Sequence, residues 1–281
     1  MWMLPNLLII GAQKCGTTWL ARMLGQHPDV FMAEEEIHFF DKAHNFARGT
    51  AWYESHFAAA AGQSAVGEKT PDYLWAEGRG AEGHLPQVHR NLHACLPHAR
   101  LVVVLRDPVA RAISAAKHLI QTGRVSPLVR IDDLLAGDLA SIAERHGVFG
   151  QGNYHGLLSA YCDLFDRDQI LVLILEEDLA PDPAVGLGRV CEFLGIDSGW
   201  TFEGMDERVN SFSSSRVQLV ANYWLPFLSP VWNRLGRLLP VARYVPGAGT
   251  LEQLYARYAQ ENEGLSDLLE RPLPNSWQGV P

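Results

Sequence analysis

Leu7-Leu-Ile-Ile-Gly-Ala-Gln-Lys-Cys-Gly-Thr-Thr-Trp-Leu20 is the stretch whose reading decides the fold. Leu7 to Ile10 have the length and branching of a buried parallel strand. Gly11 ends the run, a loop carrying Lys14 and Gly16 comes next, and Thr17 and Thr18 open a helical segment from Trp19 to Gln26. A strand, a glycine-containing loop and a helix N-terminus make an anion site. Backbone N–H groups point out of the loop, the helix dipole favours negative charge, and lysine and threonine add donors. The expected ligand is a phosphate or a group of that shape. Lys14 precedes Gly16-Thr17-Thr18, whereas a Walker A motif has its lysine after the second glycine. The β,γ-phosphates of ATP held with Mg²⁺ are therefore not the expected ligand. The competing reading is an ordinary strand-to-helix turn with an exposed lysine.

Working outward, four further apolar runs read as strands: Asp29 to Met32, Ala65 into the Pro-stopped loop at Tyr73, Leu101 to Leu105, and Gln169 to Leu175. Between them lie helical segments at Ala51 to Ala61, Gly83 to Leu96, Pro108 onward, Tyr154 to Phe165, and from Pro183 to Leu194-Gly195. Gly123 to Gly152 is loop-rich with room for one helix. Short apolar strands alternating with helices imply an α/β fold with a central parallel sheet of about five strands, flanked by helices. Leu105 delivers Arg106-Asp-Pro-Val-Ala-Arg-Ala-Ile-Ser114 into a helix, with Pro108 suited to its first turn. Arg106 and Ser114 can then face one cleft, although Arg106 could equally pair with Asp107. Glu34, Glu35 and Glu36 come after the second strand, where α/β sheets place ligands; otherwise they are a solvated charge cluster.

From Arg208 to Leu251 there is no Asp or Glu, but Arg208, Arg216, Arg234, Arg237 and Arg243 alternate with Trp224, Phe227, Trp232, leucines and four prolines. The prolines exclude one long helix. The final segment, Leu251 to Leu269, reads as a helix with Leu251, Leu254, Tyr255, Tyr258, Leu265, Leu268 and Leu269 near one face. The 281 residues fit one α/β domain, with 207–250 as a helical and irregular C-terminal lid or subdomain on the acceptor side. No apolar run approaches the roughly 20 residues of a membrane span. Cys15, Cys95, Cys162 and Cys191 lie far apart, without metal-ligand or disulfide spacing, and read as reduced thiols of a cytoplasmic protein. A net charge of −9 argues against nucleic acid and against long polyanions as partners.

Several blocks together resemble the sulfotransferases that use 3′-phosphoadenosine 5′-phosphosulfate (PAPS), in particular the heparan-sulfate type and its bacterial relatives. Gln13-Lys-Cys-Gly-Thr-Thr18 resembles the 5′-phosphosulfate loop, and Glu36-Ile-His-Phe-Phe-Asp41 the segment with the catalytic glutamate. Gly67-Glu-Lys-Thr-Pro-Asp-Tyr73 resembles the adjoining lysine loop, and Leu105-Arg-Asp-Pro through Arg111 and Ser114 the 3′-phosphate site. Gly152-Asn-Tyr154, the strand at Ile170 and Phe193-Leu-Gly-Ile196 fit the later part of the fold. The resemblance implies a P-loop-NTPase-like sheet, PAPS as donor, 3′,5′-ADP as product and no metal. Two features depart from the family pattern. Glu35 stands where a lysine usually precedes the catalytic glutamate. The Lys-Gly-Arg loop that closes over the nucleotide is missing, with Asn210, Ser211 and Arg216 as the nearest candidates. Golgi members also carry a membrane anchor, and no such segment is found here.

The resemblance gives each residue an expected role. Gln13, Lys14, Cys15, Gly16, Thr17, Thr18 and Trp19 line the nucleotide, with Arg106, Ser114, Tyr154, Asn210, Ser211 and Arg216 around it. Lys14 and Lys69 meet the transferring group. Glu36 is the general base, with His38 as rival. His38, Asp41, Tyr73, His118 and Trp224 face the acceptor, expected to be a small or lipophilic hydroxyl compound such as a glycolipid, lipid or polyketide-like alcohol. Arginines mixed with aromatics and leucines also suit a surface resting on anionic lipid. A carbohydrate O-sulfotransferase is the alternative. A P-loop kinase lacks its Gly-Lys-Ser/Thr and its Walker B aspartate, and an inactive nucleotide-binding scaffold leaves Glu36, Lys14 and Lys69 without a role.

Overall fold

The computed structural model describes residues 4–76, 84–207, 214–225 and 239–279. Strands β1 (Leu7–Gly11), β2 (Val30–Met32), β3 (Ala65–Lys69), β4 (Arg100–Leu105) and β5 (Ile170–Ile174) form one sheet in the order β2-β3-β1-β4-β5. Every pairing is parallel, with Ile9 opposite Lys69 on one side of β1 and Val102 on the other. β1 and β3 are buried along their whole length, and β4 exposes only Arg100. Uniform apolar runs, not alternating ones, are what helices on both faces require.

The helices are α1 (Thr17–Leu24), α2 (Ala43–Phe46), α3 (Thr50–Ser55), α4 (Val88–Cys95), α5 (Pro108–Gln121) and α6 (Ile131–Leu135). They continue as α7 (Ala140–Arg145), α8 (Tyr154–Cys162), α9 (Pro183–Leu194), α10 (Arg216–Trp224), α11 (Ala248–Glu261) and α12 (Leu265–Leu269). Several helical segments differ from the sequence reading; the one expected from Gly83 to Leu96 begins only at Val88. The helix expected from Ala51 to Ala61 stops at Ser55. The segment Gly123 to Gly152 holds two short helices, α6 and α7, instead of one. The last helix is broken: Gly264 takes a left-handed φ of 82°, and the Asn262 side chain leaves the helix to bond Gly152 O at 2.9 Å. A glycine in that conformation costs little, whereas continuing the helix through it would.

Two cores hold these elements. The larger surrounds the sheet; the second joins Val109, Ala112, Ala116 and Leu119 of α5 to Leu134, Val148, Leu219, Tyr244, Leu254 and Tyr258. The buried side of helix α5 therefore packs on the second core, against the C-terminal elements. From β1 the chain passes to β2 and β3 on one side, and β4 opens the other. The crevice above the C-terminal ends of β1 and β4 is thus the topological switch point, where open α/β sheets bind ligands.

One glycine sets how closely β3 approaches β1. A Cβ at Gly67 would run into the carbonyl oxygen of Leu7 and lie 2.9 Å from Leu7 Cβ. Gly67→Ala is expected to cost about 1–3 kcal/mol, the scale of overpacking. At Gly249, near the start of α11, a Cβ would meet nothing, so Gly249→Ala should be neutral or stabilising. Urea denaturation midpoints check both; equal effects would show that the β1–β3 approach is not tight.

Candidate active site

The loop after β1 is folded by its own backbone. Ala12 N–H donates to Val104 O at 2.8 Å and Cys15 N–H to Ala12 O at 3.2 Å. Lys14 and Gly16 both take left-handed φ values, 70° and 90°. Gly16 is the N-cap of α1, it supplies no side-chain cap, and no carboxylate occupies the first turn. The donors opening α1 are therefore left for an anion, which is the test a phosphosulfate group must pass. Lys14 lies beside them, its pKa lowered by burial against the opposing pull of Glu36 and Asp72.

Across the crevice, Arg106 leaves β4 and reaches back to Lys14 O at 3.4 Å. It does not pair with Asp107, which instead caps α5 through Val109 N–H at 2.8 Å and accepts from Tyr255 Oη at 3.3 Å. Ser114 lies two turns into α5, half-buried.

The second half of the site is a chain of alternating charges. Lys69, at the end of β3, donates to Glu36 and, at 3.3 Å, to Thr18 Oγ1. Glu36 also faces His38 Nε2 at 3.4 Å, while His38 Nδ1 meets Asp41 Oδ2 at 2.9 Å. With a carboxylate at each ring nitrogen, His38 is doubly protonated. Burial disfavours that imidazolium, yet hydrogen bonds to Asp41 and Glu36 raise its pKa to about 10. Burial would likewise raise Glu36, but hydrogen bonds from His38 and Lys69 outweigh it and hold the carboxyl at about 2. His118, on α5, is pushed down to about 4 by burial and by the charges of Lys14 and Arg124.

The backbone carrying Glu36 and His38 is irregular, with His38 at φ 52°, and it is held by a residue the sequence reading passed over. Glu68 is completely buried on β3. Its carboxylate accepts from Tyr53 Oη at 2.6 Å, Tyr73 Oη at 2.9 Å, Thr70 Oγ1 at 2.7 Å and Ile37 N at 3.4 Å. Tyr73 Oη in turn accepts from Phe39 N, and Thr70 Oγ1 from His38 N. A charged residue inside a fully buried strand was the available signal.

Several residues expected to touch ligand are instead supports. Tyr73 is wholly buried with its hydroxyl spent on Glu68 and Phe39, so it does not face an acceptor. Asp41 is also fully buried and acts on His38. Cys15 is buried, its thiol pushed up to about 12 by desolvation. Tyr154 lies under the loop, near Cys15 Sγ, and donates to Arg106 O at 2.8 Å. Thr17 is buried, and the Trp19 indole donates to Met205 O at 3.1 Å. Gln13 donates to Asp72 Oδ1 at 3.3 Å, an acceptor it shares with Gln151. His38, Asp41 and Asp72 each offer one ligand atom within 4.8 Å of the others, a grouping that spacing did not reveal; a cation there would compete with the proton on His38.

Arg216 and Trp224 lie at the two ends of α10, which packs through Leu219 on the second core. Both are exposed, Trp224 by 66%, and no described contact brings either to the loop. Asn210 and Ser211 lie outside the described residues, as do Arg208, Phe227, Trp232, Arg234 and Arg237.

The charge chain has a testable signature. His38 is raised above its ordinary 6.5, so its contribution to stability is complete below that pH and is lost as pH climbs through about 10. Glu36 is lowered from 4.5, so its contribution is complete above that value and is lost as pH falls towards 2. Imidazole ¹⁵N shifts should show His38 protonated on both nitrogens at pH 7 and His118 neutral. Deprotonation of His38 near 6.5 would refute the chain.

Comparison with known proteins agrees with this geometry. The sulfotransferase domain family matches residues 4–221. Human heparan sulfate glucosamine 3-O-sulfotransferase 6 is 34% identical over 196 residues, which cover 68% of this chain and 52% of that protein. Human heparan sulfate glucosamine 3-O-sulfotransferase 3B1 is 32% identical over 198 residues, covering 69% and 46%. The chain thus spans about half the length of the curated relatives it matches. A crystal structure of a sulfotransferase from Alicyclobacillus acidocaldarius shares the fold, with a TM-score of 0.72 at 24% identity over 99% of this chain and 100% of that one. A match over most of the sequence, on a sheet whose switch point carries an anion loop, leads to one conclusion: the chain belongs to the sulfotransferase family.

Proposed function

We propose that the protein moves a sulfuryl group from PAPS to an acceptor hydroxyl, with Glu36 as general base. The observation that carries this reading is the position of Lys69, whose single ammonium joins Thr18 of the anion loop to the carboxylate of Glu36. A binding loop and a base linked by one cation suit a reaction in which charge shifts from an acceptor to a leaving group between them.

PAPS supplies the activated sulfuryl group, joined to the 5′-phosphate through the oxygen that leaves with 3′,5′-ADP. Lys14 and the N–H groups opening α1 stabilise the negative charge that grows on that oxygen. Arg106 and Ser114 bind the 3′-phosphate. Glu36 accepts the acceptor proton as the new O–S bond forms and the bridging O–S bond breaks. A carboxylate held at about 2 is a weak base. Lys69 relieves this when its ammonium turns towards an anion on the Thr18 side, because Glu36 then loses one of the two hydrogen bonds that depress it. His38 already carries its proton, so it orients Glu36 and balances its charge instead of serving as the base.

The acceptor we infer is a small or lipophilic hydroxyl compound. Glu34 and Glu35 are exposed beside Glu36 and would repel a polyanion, and the chain is net acidic. Val217, Trp224 and Leu225 are exposed on and just after α10, within the 207–250 region assigned to the acceptor side or to contact with a lipid surface. The curated relatives' names favour the second reading, O-sulfation of a carbohydrate. The four thiols are free, which suits a cytoplasmic setting.

Calorimetry should show 3′,5′-ADP binding far tighter than ATP, and comparable affinities would refute the donor. Glu36→Gln should keep that binding and lose at least ~10²-fold in transfer rate; an active Glu36→Gln beside a dead His38→Ala would move the base to His38. For the acceptor, mass spectrometry of products from lipophilic alcohols and heparan-type chains is decisive. Turnover of the chains alone would overturn the small-acceptor reading.

A further inference from the structure

Helix α5 carries a cation that neither its capping nor its packing requires. Lys117 lies one turn beyond Ser114 and shares its face of the helix. That face borders the crevice, since His118, the next residue on it, responds to the charges of Lys14 and Glu36. Ala112, Ala115, Ala116 and Leu119 take the buried side. Lys117 is half-buried, and among the described residues no carboxylate pairs with it. Burial is what mainly disfavours its ammonium, and the charge that adds to this is another cation, Arg106, itself without a carboxylate partner among the described residues.

Two like charges on partly desolvated ground repel each other unless an anion comes between them. Salt bridges to Asp107 or Glu176 would have removed the conflict. Asp107 is committed to the start of α5 and to Tyr255, and Glu176 accepts from Asp107 N at 3.0 Å. The arrangement is that of an anion site whose counter-charge is supplied by the ligand.

We propose that Lys117 is a specificity residue for the 3′-phosphate of the nucleotide, acting beside Arg106 and Ser114. It would supply from α5 part of the charge that the missing Lys-Gly-Arg loop would otherwise bring from the C-terminal side. The inference rests on the PAPS reading above and adds to it a residue with no place in the motifs that carry the resemblance.

The test compares two ligands that differ only in that phosphate, 3′,5′-ADP and 5′-AMP, by calorimetry on the full chain. The native protein should prefer 3′,5′-ADP. Lys117→Met should reduce that preference by about tenfold or more, the scale of one charge-assisted contact, with 5′-AMP affinity unchanged. Lys117→Arg should restore most of it, and raising the salt concentration should narrow the gap between native protein and Lys117→Met. Equal loss for both nucleotides would assign Lys117 to structure and overturn the proposal, as would no loss at all. A native protein with no preference for 3′,5′-ADP would overturn the donor reading as well, so the two failures are distinguishable.

Discussion

A carboxylate shut away from water in the middle of the sheet is the constraint on which the site depends. Glu68 has no exposure, and isolating a charge there would cost several kcal/mol if nothing met it. Four donors do meet it, from Tyr53, Tyr73, Thr70 and the Ile37 amide. Each donor fixes something else. Tyr53 anchors α3, Tyr73 and Thr70 fix the turn after β3, and Ile37 begins the segment that holds His38 in a left-handed conformation. Burial raises the Glu68 pKa, so the hydrogen bonds work against a real tendency to neutralise. Losing one donor would leave a buried group unsatisfied and free the backbone that aims Glu36.

From that anchor the charges alternate outward: Lys69, Glu36, His38 and Asp41, with Lys42 also 3.6 Å from Asp41. Alternation explains how a small cleft holds so many ionised groups. Every carboxylate in the row touches at least one cation, and every cation a carboxylate. It also separates rest from action. In the resting chain Glu36 is deeply ionised and a poor base. Its basicity depends on where the Lys69 ammonium is engaged, and that ammonium also touches the anion loop through Thr18. The anion loop and the proton affinity of Glu36 are thereby linked through a single side chain.

The same physics decides which parts of the molecule were legible in the sequence. The five strands could be read because both faces of the sheet are covered, leaving uniform apolar runs. The anion loop could be read because Gly16 must adopt a left-handed conformation and Lys14 must precede it. Glu36 and Lys69 came from separate motifs, and register places them together: β2 and β3 pair at Met32 and Gly67, so the segments leaving the two strands arrive at the same edge. Glu68, by contrast, is not marked by its local sequence, because Tyr53, which meets it, is distant along the chain. Lys117 was illegible for a related reason. A lone lysine on a helix usually lies in solvent, and only the packing of α5 on the second core shows that this one is half-buried. The break at Gly264 was hidden by leucines that keep their helical spacing on both sides of it.

The second core has its own electrostatic consequence for the loop. Arg111, on the buried side of α5, has no exposure and no carboxylate partner among the described residues. One nitrogen donates to Val148 O and lies 3.5 Å from Tyr258 Oη, while Nε and Nη1 have no acceptor. Such a guanidinium cannot discharge, so its cost is carried by the fold. Its field, however, reaches Cys15 in the anion loop and Tyr154 beneath it. A fixed positive charge near an anion loop costs less when a negative charge faces it. Filling the loop with negative charge offsets part of that cost, and the α11 residue Tyr258, through its contact with Arg111, ties the C-terminal elements to the same balance. The site is therefore supported from both cores: a satisfied anion, Glu68, holds the segment that carries Glu36, and an unsatisfied cation, Arg111, lies close to the anion loop.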